Sequence, residues 1–412
     1  MAEILKVNSE RLRADLDELA DIGREGDRGL FRMAFTDGEM AAREWFKKRL
    51  AEGGLDVHED GAANIHGRLG WDGTTPSVMT GSHMDTVPGA GPLDGALGVV
   101  VGMECLRVLR ESGVKLARPL ETVAFTDEEG RFGGMVGSQA IAGKLTPQVI
   151  RAARDLDGIT LTEAMAARGL DAMEALRARR APETLHAFVE LHIEQGPVLD
   201  RKNYRIGAVD AIAGLNKWDV RLIGGANHAG TTPMDMRNDA FGGLAELATE
   251  IPRILEEHGS PRSVATIGRV ELGPGAANVV PGRAEFSLEF RDPDDQVLAQ
   301  INDAFRRVLS TIARRRDLMF EFDVLSEIPP VKCDPGVVEA VHQSAADQGL
   351  DALQMPSGAA HDTQMIASLT RAAMIFVPSV GGKSHSTAEW TQWEDIEAGA
   401  NVLLNTLYRL AR

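Results

Sequence analysis

Apolar residues recur at helical spacing near the start of the chain, at Leu12, Leu16 and Leu19, with Asn8 or Ser9 placed to cap that helix. A second amphipathic helix is predicted through Glu39 to Glu52, closing at Gly53-Gly54. The run from Ser77 reads as a buried strand ending in the polar loop around His83 and Asp85. Gly95 to Leu109 is helix-like and apolar on most faces, which predicts a core position. Glu121 to Thr126 and His186 to Glu194 read as further strands, each leading into a polar loop. Thr146 to Pro182, rich in Ala, Arg and Leu, is expected to be helical. Strands alternating with helices, with polar residues at the strand ends, predict an α/β sheet whose ligands lie just past those ends.

Beyond Gly214 the pattern changes. Lys217 to Leu222, Val264 to Leu272, Arg283 to Arg291 and Phe320 to Val324 read as strands, with helices predicted at Phe241 to Leu255 and Asp295 to Ala313. That order predicts a compact, ferredoxin-like α+β insertion. After Pro330 the first pattern returns as a helix, a strand at Ala373 to Val377, a Gly-Gly loop and a closing helix to Leu410. The expected organisation is a catalytic domain of residues 1–213 and 330–412, interrupted by an inserted domain of residues 214–329.

Composition narrows the function classes. A net charge of −17 and 5% aromatic residues argue against a nucleic-acid or anionic-lipid surface, which needs Lys and Arg clusters or stacking rings. No segment approaches the roughly 20 apolar residues of a membrane span. The N-terminal stretch lacks a cationic start followed by an apolar run, so no signal peptide is expected and the predicted location is the cytoplasm. Cys105 and Cys333 form no C-x-x-C pair, which excludes a thiolate metal site of that pattern; Cys105 reads as a small buried hydrophobe.

Candidate chemistry sits in four fragments. In an extended segment His83 and Asp85 point to the same face, so Asp85 can orient the His83 imidazole toward a cation. Asp94 follows a loop of prolines and glycines that can turn sharply and bring its carboxylate back. Asp127-Glu128-Glu129 places three carboxylates in a row at a strand end, where they repel unless a cation or a base role compensates. Glu190, His192 and Glu194 alternate with Leu191 and Ile193, and His385 lies in a Gly-rich loop after an apolar strand. Each fragment alone also fits a solvated loop pair, an exposed acidic turn or a surface histidine. Together, three imidazoles and two carboxylates suit two Zn²⁺-like ions.

The order of these fragments resembles the M20 metallopeptidase superfamily. The resemblance is carried by Gly81-Ser-His-Met-Asp-Thr-Val-Pro, Leu93-Asp-Gly-Ala-Leu-Gly-Val, Asp127-Glu-Glu-Gly and Glu190-Leu-His-Ile-Glu-Gln-Gly-Pro. It continues through Asn227-His-Ala-Gly, Ala277-Asn-Val-Val-Pro-Gly, Phe290-Arg, Ser357-Gly-Ala-Ala-His-Asp and Ser384-His-Ser. The branch it looks like is the amidase, hydantoinase and carbamoylase branch, which includes N-carbamoyl-L-amino acid hydrolases, allantoate amidohydrolases and β-ureidopropionases.

The resemblance implies a Zn-peptidase-like catalytic domain with a central mixed sheet, and an inserted domain that serves as lid and forms a homodimer. It implies two divalent ions, Zn first, with Mn, Co or Ni as alternatives. Asp94 would bridge them, His83 and His192 completing one site and Glu129 and His385 the other. Glu128 would then be the general base and Asp85 would orient His83. His228 would donate to the oxyanion, while Arg291, Asn278, Gln195 and His361 would contact a small substrate bearing a carboxylate. Read alone, Arg291 equally fits a surface salt bridge and His361 a satisfied core histidine. The branch's histidine at the place of His192 implies ureido substrates rather than peptides. An inactive metal-binding scaffold is the rival from another class; Glu128, which a scaffold would not need, speaks against it. Leu93 and Lys383 depart from the branch's usual Phe and Ile, and neither change removes a ligand.

Overall fold

The computed structural model describes residues 4–412, which fall into two compact units. The first contains the chain up to Asp210, Cys333–Met355 and Ala359–Arg412; the second contains Ala211–Lys332 and Pro356–Gly358.

The first unit is built on a mixed sheet. Its strands follow the spatial order Asp56–Glu59, Ile65–Leu69, Leu120–Phe125, Ser77–His83, Leu185–Ile193, Arg371–Val377 and Ile206–Ile212. The middle four run parallel to one another, and the outer ones are antiparallel. Because the middle four are parallel, their carboxyl ends share one edge of the sheet. Ser77–His83 and Leu120–Phe125 are buried at every position, as expected of parallel strands covered on both faces. Helix Ala96–Ser112 is buried over nearly its whole length, and Trp393–Leu410 packs beside it. Met79, Val123, Phe125 and Phe188 pack against Ile141 and Ile366 of two short helices. Cys105, in helix Ala96–Ser112, is buried, and its thiol faces the Ala400 carbonyl of helix Trp393–Leu410.

Helix boundaries follow local capping chemistry. Asn8 caps Ser9–Asp21 by accepting the Arg11 N–H, and Thr36 caps Asp37–Glu52. The expected helix from Thr146 to Pro182 is broken into Pro147–Ala152 and Leu161–Ala166, followed by a 3₁₀ segment at Ala172–Arg177. Thr160 and Glu163 form a reciprocal capping box that restarts the chain as a new helix. Between the two helices the Asp155 carboxylate accepts the N–H groups of Asp157 and Ile159, fixing a turn. High Ala content therefore did not make one long helix.

The second unit is an antiparallel sheet in the order Val270–Gly273, Arg283–Asp292, Gly214–Ile223, Met319–Ile328, with Val264–Thr266 also paired to Arg283–Asp292. The single strand expected from Val264 to Leu272 is interrupted around Gly268, where Ser287 Oγ accepts the Arg269 N–H. Helices Ala240–His258 and Asp295–Arg316 cover an apolar core that includes Trp218, Phe286, Phe290, Leu298 and Phe305.

Candidate metal centre

The shared carboxyl edge explains why residues far apart in sequence meet. His83 ends one parallel strand, Asp127–Glu129 follows the next, His192 sits near the end of the third, and His385 lies in the loop after the fourth. Two triads of donor atoms result, His83 with Asp94 and His192, and Asp94 with Glu129 and His385, each within 4.8 Å. Asp94 belongs to both.

The imidazoles are aimed by backbone carbonyls. His83 Nδ1 lies 2.9 Å from the Asp85 carbonyl oxygen, which can only accept, so Nδ1 carries the hydrogen and Nε2 keeps its lone pair. That lone pair faces Asp94 Oδ1 at 3.7 Å and Glu128 Oε2 at 3.5 Å. His192 Nδ1 is likewise 2.9 Å from the Ile193 carbonyl, and its Nε2 accepts the Gly95 N–H and lies 3.2 Å from Asp94 Oδ1. His385 Nε2 is 3.3 Å from Asp94 Oδ2 and 3.5 Å from Glu129 Oε2. Gly95 matters here: its φ is +63°, and a Cβ on it would lie 2.4 Å from the His83 ring.

Asp85 acts on His83 differently from the expectation. Its carboxylate is 3.9 Å from His83 Nδ1, beyond a hydrogen bond, and instead accepts the backbone N–H groups of Glu128 and Glu129 at 3.2 and 3.1 Å. The backbone oxygen orients the ring, while the side chain holds the acidic turn. Glu194 is also diverted: it accepts the N–H groups of Val198 and Leu199, both at 2.7 Å, at the start of helix Val198–Lys202. A third donor group, Glu190 with His192 and His361, lies equally close. The Glu190 carboxylate already accepts three hydrogen bonds, from Ser82 Oγ and from the Thr363 N–H and Oγ, which tie it into the fold.

Electrostatics mark the same cluster. Burial, reinforced by Asp362 and Glu129, pushes the Glu128 carboxyl well above its ordinary value. Burial and the Asp94 charge push Glu129 up to about 8. Burial holds the His83 imidazole down at about 4, and His385 is raised to about 9 by its hydrogen bond to Asp94. Three carboxyl groups (Asp94, Glu128 and Glu129) crowd around the imidazole Nε2 atoms, and Glu129 Oε1 is buried without a hydrogen-bond partner. A divalent cation relieves both conditions, so the residues present fit one. Asp127, Gln195 and His385 have φ of +53°, +58° and +51°. Left-handed backbone at non-glycine residues costs on the order of 1 kcal/mol each, and here it flanks the donor cluster.

The remaining expected residues divide between the units. Gln195 Nε2 donates to Asp94 Oδ2 at 2.6 Å, and the buried His361 ring lies 4.5 Å from the His192 ring. In the second unit His228 pairs with Val279 across a short antiparallel ladder, and the Asn278 carbonyl accepts the Ala229 N–H. His228 Nδ1 accepts the Gly230 N–H at 3.1 Å, which leaves the hydrogen on Nε2 as an outward donor. Arg291 Nε and Nη2 bond to Glu289 Oε1 at 2.9 and 2.6 Å, and Nη1 donates to the Gly358 carbonyl. Three of its five N–H groups are thus engaged within the second unit. A cavity of about 690 Å³ lined by Met33, Asp85, Glu129, Arg131, Phe132 and Leu156 adjoins the acidic turn. Sequence reasoning missed Glu389, a buried loop carboxylate that accepts the N–H groups of Leu93 and Asp94. No periodicity or spacing singles it out.

An open α/β sheet with imidazoles and carboxylates gathered at its carboxyl edge is the layout of a metal-dependent hydrolase. Residues 79–409 match Peptidase family M20/M25/M40, and the chain belongs to that family. It is 40% identical to an N-carbamoyl-L-amino acid amidohydrolase of Geobacillus stearothermophilus, over 98% of this chain and 99% of the relative. An allantoate amidohydrolase of Escherichia coli (strain K12) is 34% identical over 95% of this chain and 96% of its own. Among solved structures, an amidase of the hydantoinase/carbamoylase family from Burkholderia multivorans superposes with a TM-score of 0.91, at 36% identity and 98% coverage of both chains.

Proposed function

We propose that this amidohydrolase cleaves N-carbamoyl-L-amino acids to the L-amino acid, CO₂ and ammonia, using two divalent cations, Zn²⁺ first among them. The observation that carries the reading is the pair of donor triads sharing Asp94. His83 and His192 would hold one cation, Glu129 and His385 the other, with Asp94 common to both. Bound there, the cations supply Lewis acidity toward the scissile carbonyl and acidify the attacking water.

The rest of the chemistry falls to this chain's side chains. Glu128, beside His83 and outside the five donors, takes the proton from the water and delivers it to the leaving nitrogen. Its raised proton affinity suits the delivery step. His228 donates its Nε2 hydrogen to the developing oxyanion. The two free N–H groups of Arg291, with Asn278 and Gln195, take the substrate carboxylate, and His361 lines the substrate's approach. We also propose a cytoplasmic homodimer formed through the second unit.

Allantoate is the second reading, because allantoate amidohydrolases of Bacillus subtilis and Escherichia coli are 35% and 34% identical to this chain. Turnover by Zn²⁺-, Mn²⁺- and Co²⁺-loaded protein should be measured on N-carbamoyl-L-amino acids, allantoate and N-carbamoyl-β-alanine. The highest kcat/KM is expected on an N-carbamoyl-L-amino acid. A higher value on allantoate replaces the first reading with the second, and turnover of dipeptides alone refutes both.

A further inference from the structure

Glu389 links the two loops that supply the Asp94 and His385 donors. Its Oε1 accepts the backbone N–H groups of Leu93 and Asp94 at 2.8 and 3.0 Å. Its Oε2 lies 3.0 Å from Ser384 Oγ, and that same hydroxyl lies 2.7 Å from Asp94 Oδ2. The loop leading to Asp94 also packs directly on this side chain, since a Cβ at Gly91 would lie 2.4 Å from Glu389 Cβ. Glu389 is itself only 3% exposed.

A serine hydroxyl has one hydrogen to donate, and here two carboxylate oxygens are within its reach. Donation to Asp94 Oδ2 occupies lone-pair density that a cation would need. Donation to Glu389 removes one of the two side-chain hydrogens, from Ser384 and from Gln195, that compete for Asp94 Oδ2. We infer that Glu389 is a positioning residue for the metal centre. It clamps the Asp94 loop through two backbone N–H groups and draws the Ser384 hydrogen away from Asp94 when a cation is held there. The inference rests on the reading that Asp94, Glu129 and His385 hold a cation.

The test uses the E389Q variant in the full chain, stripped of metal and titrated with Co²⁺. The glutamine oxygen can still accept the Leu93 and Asp94 N–H groups, so the melting temperature stays near the wild-type value. Its amide nitrogen donates to Ser384 Oγ and so turns the hydroxyl hydrogen onto Asp94. Affinity for the more weakly held Co²⁺ should then fall about 10-fold, the lower range seen when groups supporting metal ligands are changed. The Co²⁺ visible absorption band should shift with it, and the double variant S384A/E389Q should recover affinity because the competing hydrogen is gone. A strut with no influence on Asp94 would move the melting temperature and leave the Co²⁺ titration and spectrum alone. E389Q indistinguishable from wild type in both, while H385A loses a cation, overturns the inference and leaves the metal reading intact. H385A that binds as many cations as wild type overturns the metal reading, and this inference with it.

Discussion

The two sheets of this molecule obey different rules. In the second unit, strand Gly214–Ile223 alternates strictly between buried and half-buried positions, and Arg283–Asp292 repeats that alternation over most of its length. Apolar residues face the two helices, and Lys217, Asp219, Arg221, Glu285 and Glu289 face the other way. In the first unit, Ser77–His83 and Leu120–Phe125 are buried throughout, and residues such as Glu121, His83 and Glu190 are buried with them. A one-sided antiparallel sheet can leave its polar face to water, whereas a parallel sheet covered on both faces must find partners for the charged groups it buries. The polar groups of the first unit are accordingly networked at one end and gathered into a donor cluster at the other. Buried charge there signals function or a closed network; alternation in the second unit signals packing.

Four experiments press on that contrast. The largest effect is expected from Glu128→Gln, which should lower kcat by about 10²–10⁴-fold, the range of a lost general acid-base group. Metal content and melting temperature should stay unchanged; full activity would remove Glu128 from the base role. Next is Trp218→Ala, fully buried against Phe290 and Phe322 in the second unit. Truncating a buried aromatic there should destabilise the protein by about 3–5 kcal/mol in urea unfolding, with no loss of cations from the first unit. A loss below about 1 kcal/mol would contradict the packing role.

Arg291→Ala should raise KM for carboxylate substrates about 10-fold, with little change in kcat, as one charge-assisted contact is lost. An unchanged KM would leave Arg291 as a structural partner of Glu289 and the Gly358 carbonyl. The smallest effect concerns His66, buried between Asp60 Oδ2 at 3.4 Å and Glu121 Oε2 at 3.5 Å, away from the donor cluster. Burial opposes its charged form, but the two carboxylates outweigh burial and raise its proton affinity above the ordinary 6.5. A raised folded-state value means its stabilisation is fully present below pH 6.5 and fades as pH climbs through the folded-state value. The stability difference between wild type and His66→Gln should therefore shrink as pH rises from 6 upward. A difference that grows with pH would show the histidine to be neutral in the folded protein.

Much of the fold was legible from local pattern. Period-2 alternation placed Arg283–Asp292, apolar runs placed the parallel strands, and Asn8 announced the first helix. Asp56–Glu59 carried too few residues to stand out, Ile206–Ile212 went unread although it is as long as Ser77–His83, and the segment after Thr146 hid its breaks behind helix-favouring composition. At the site, unusual residue types at strand ends picked out His83, Asp94, Glu128, Glu129, His192 and His385. Spacing suggested that the Asp85 side chain steers His83; the chain path instead gives that task to the Asp85 carbonyl and turns the carboxylate onto the next loop.

The sequence by itself determined which side chains could bind a cation, because donor chemistry belongs to residue type and resemblance to the M20 superfamily is carried by short local motifs. Only the tertiary structure decided how those donors are held. Asp94 lies between two triads because four parallel strands end on one edge, and Glu389 reaches Leu93 from 296 residues away. Contacts at that separation follow from strand order and packing, which no local periodicity encodes.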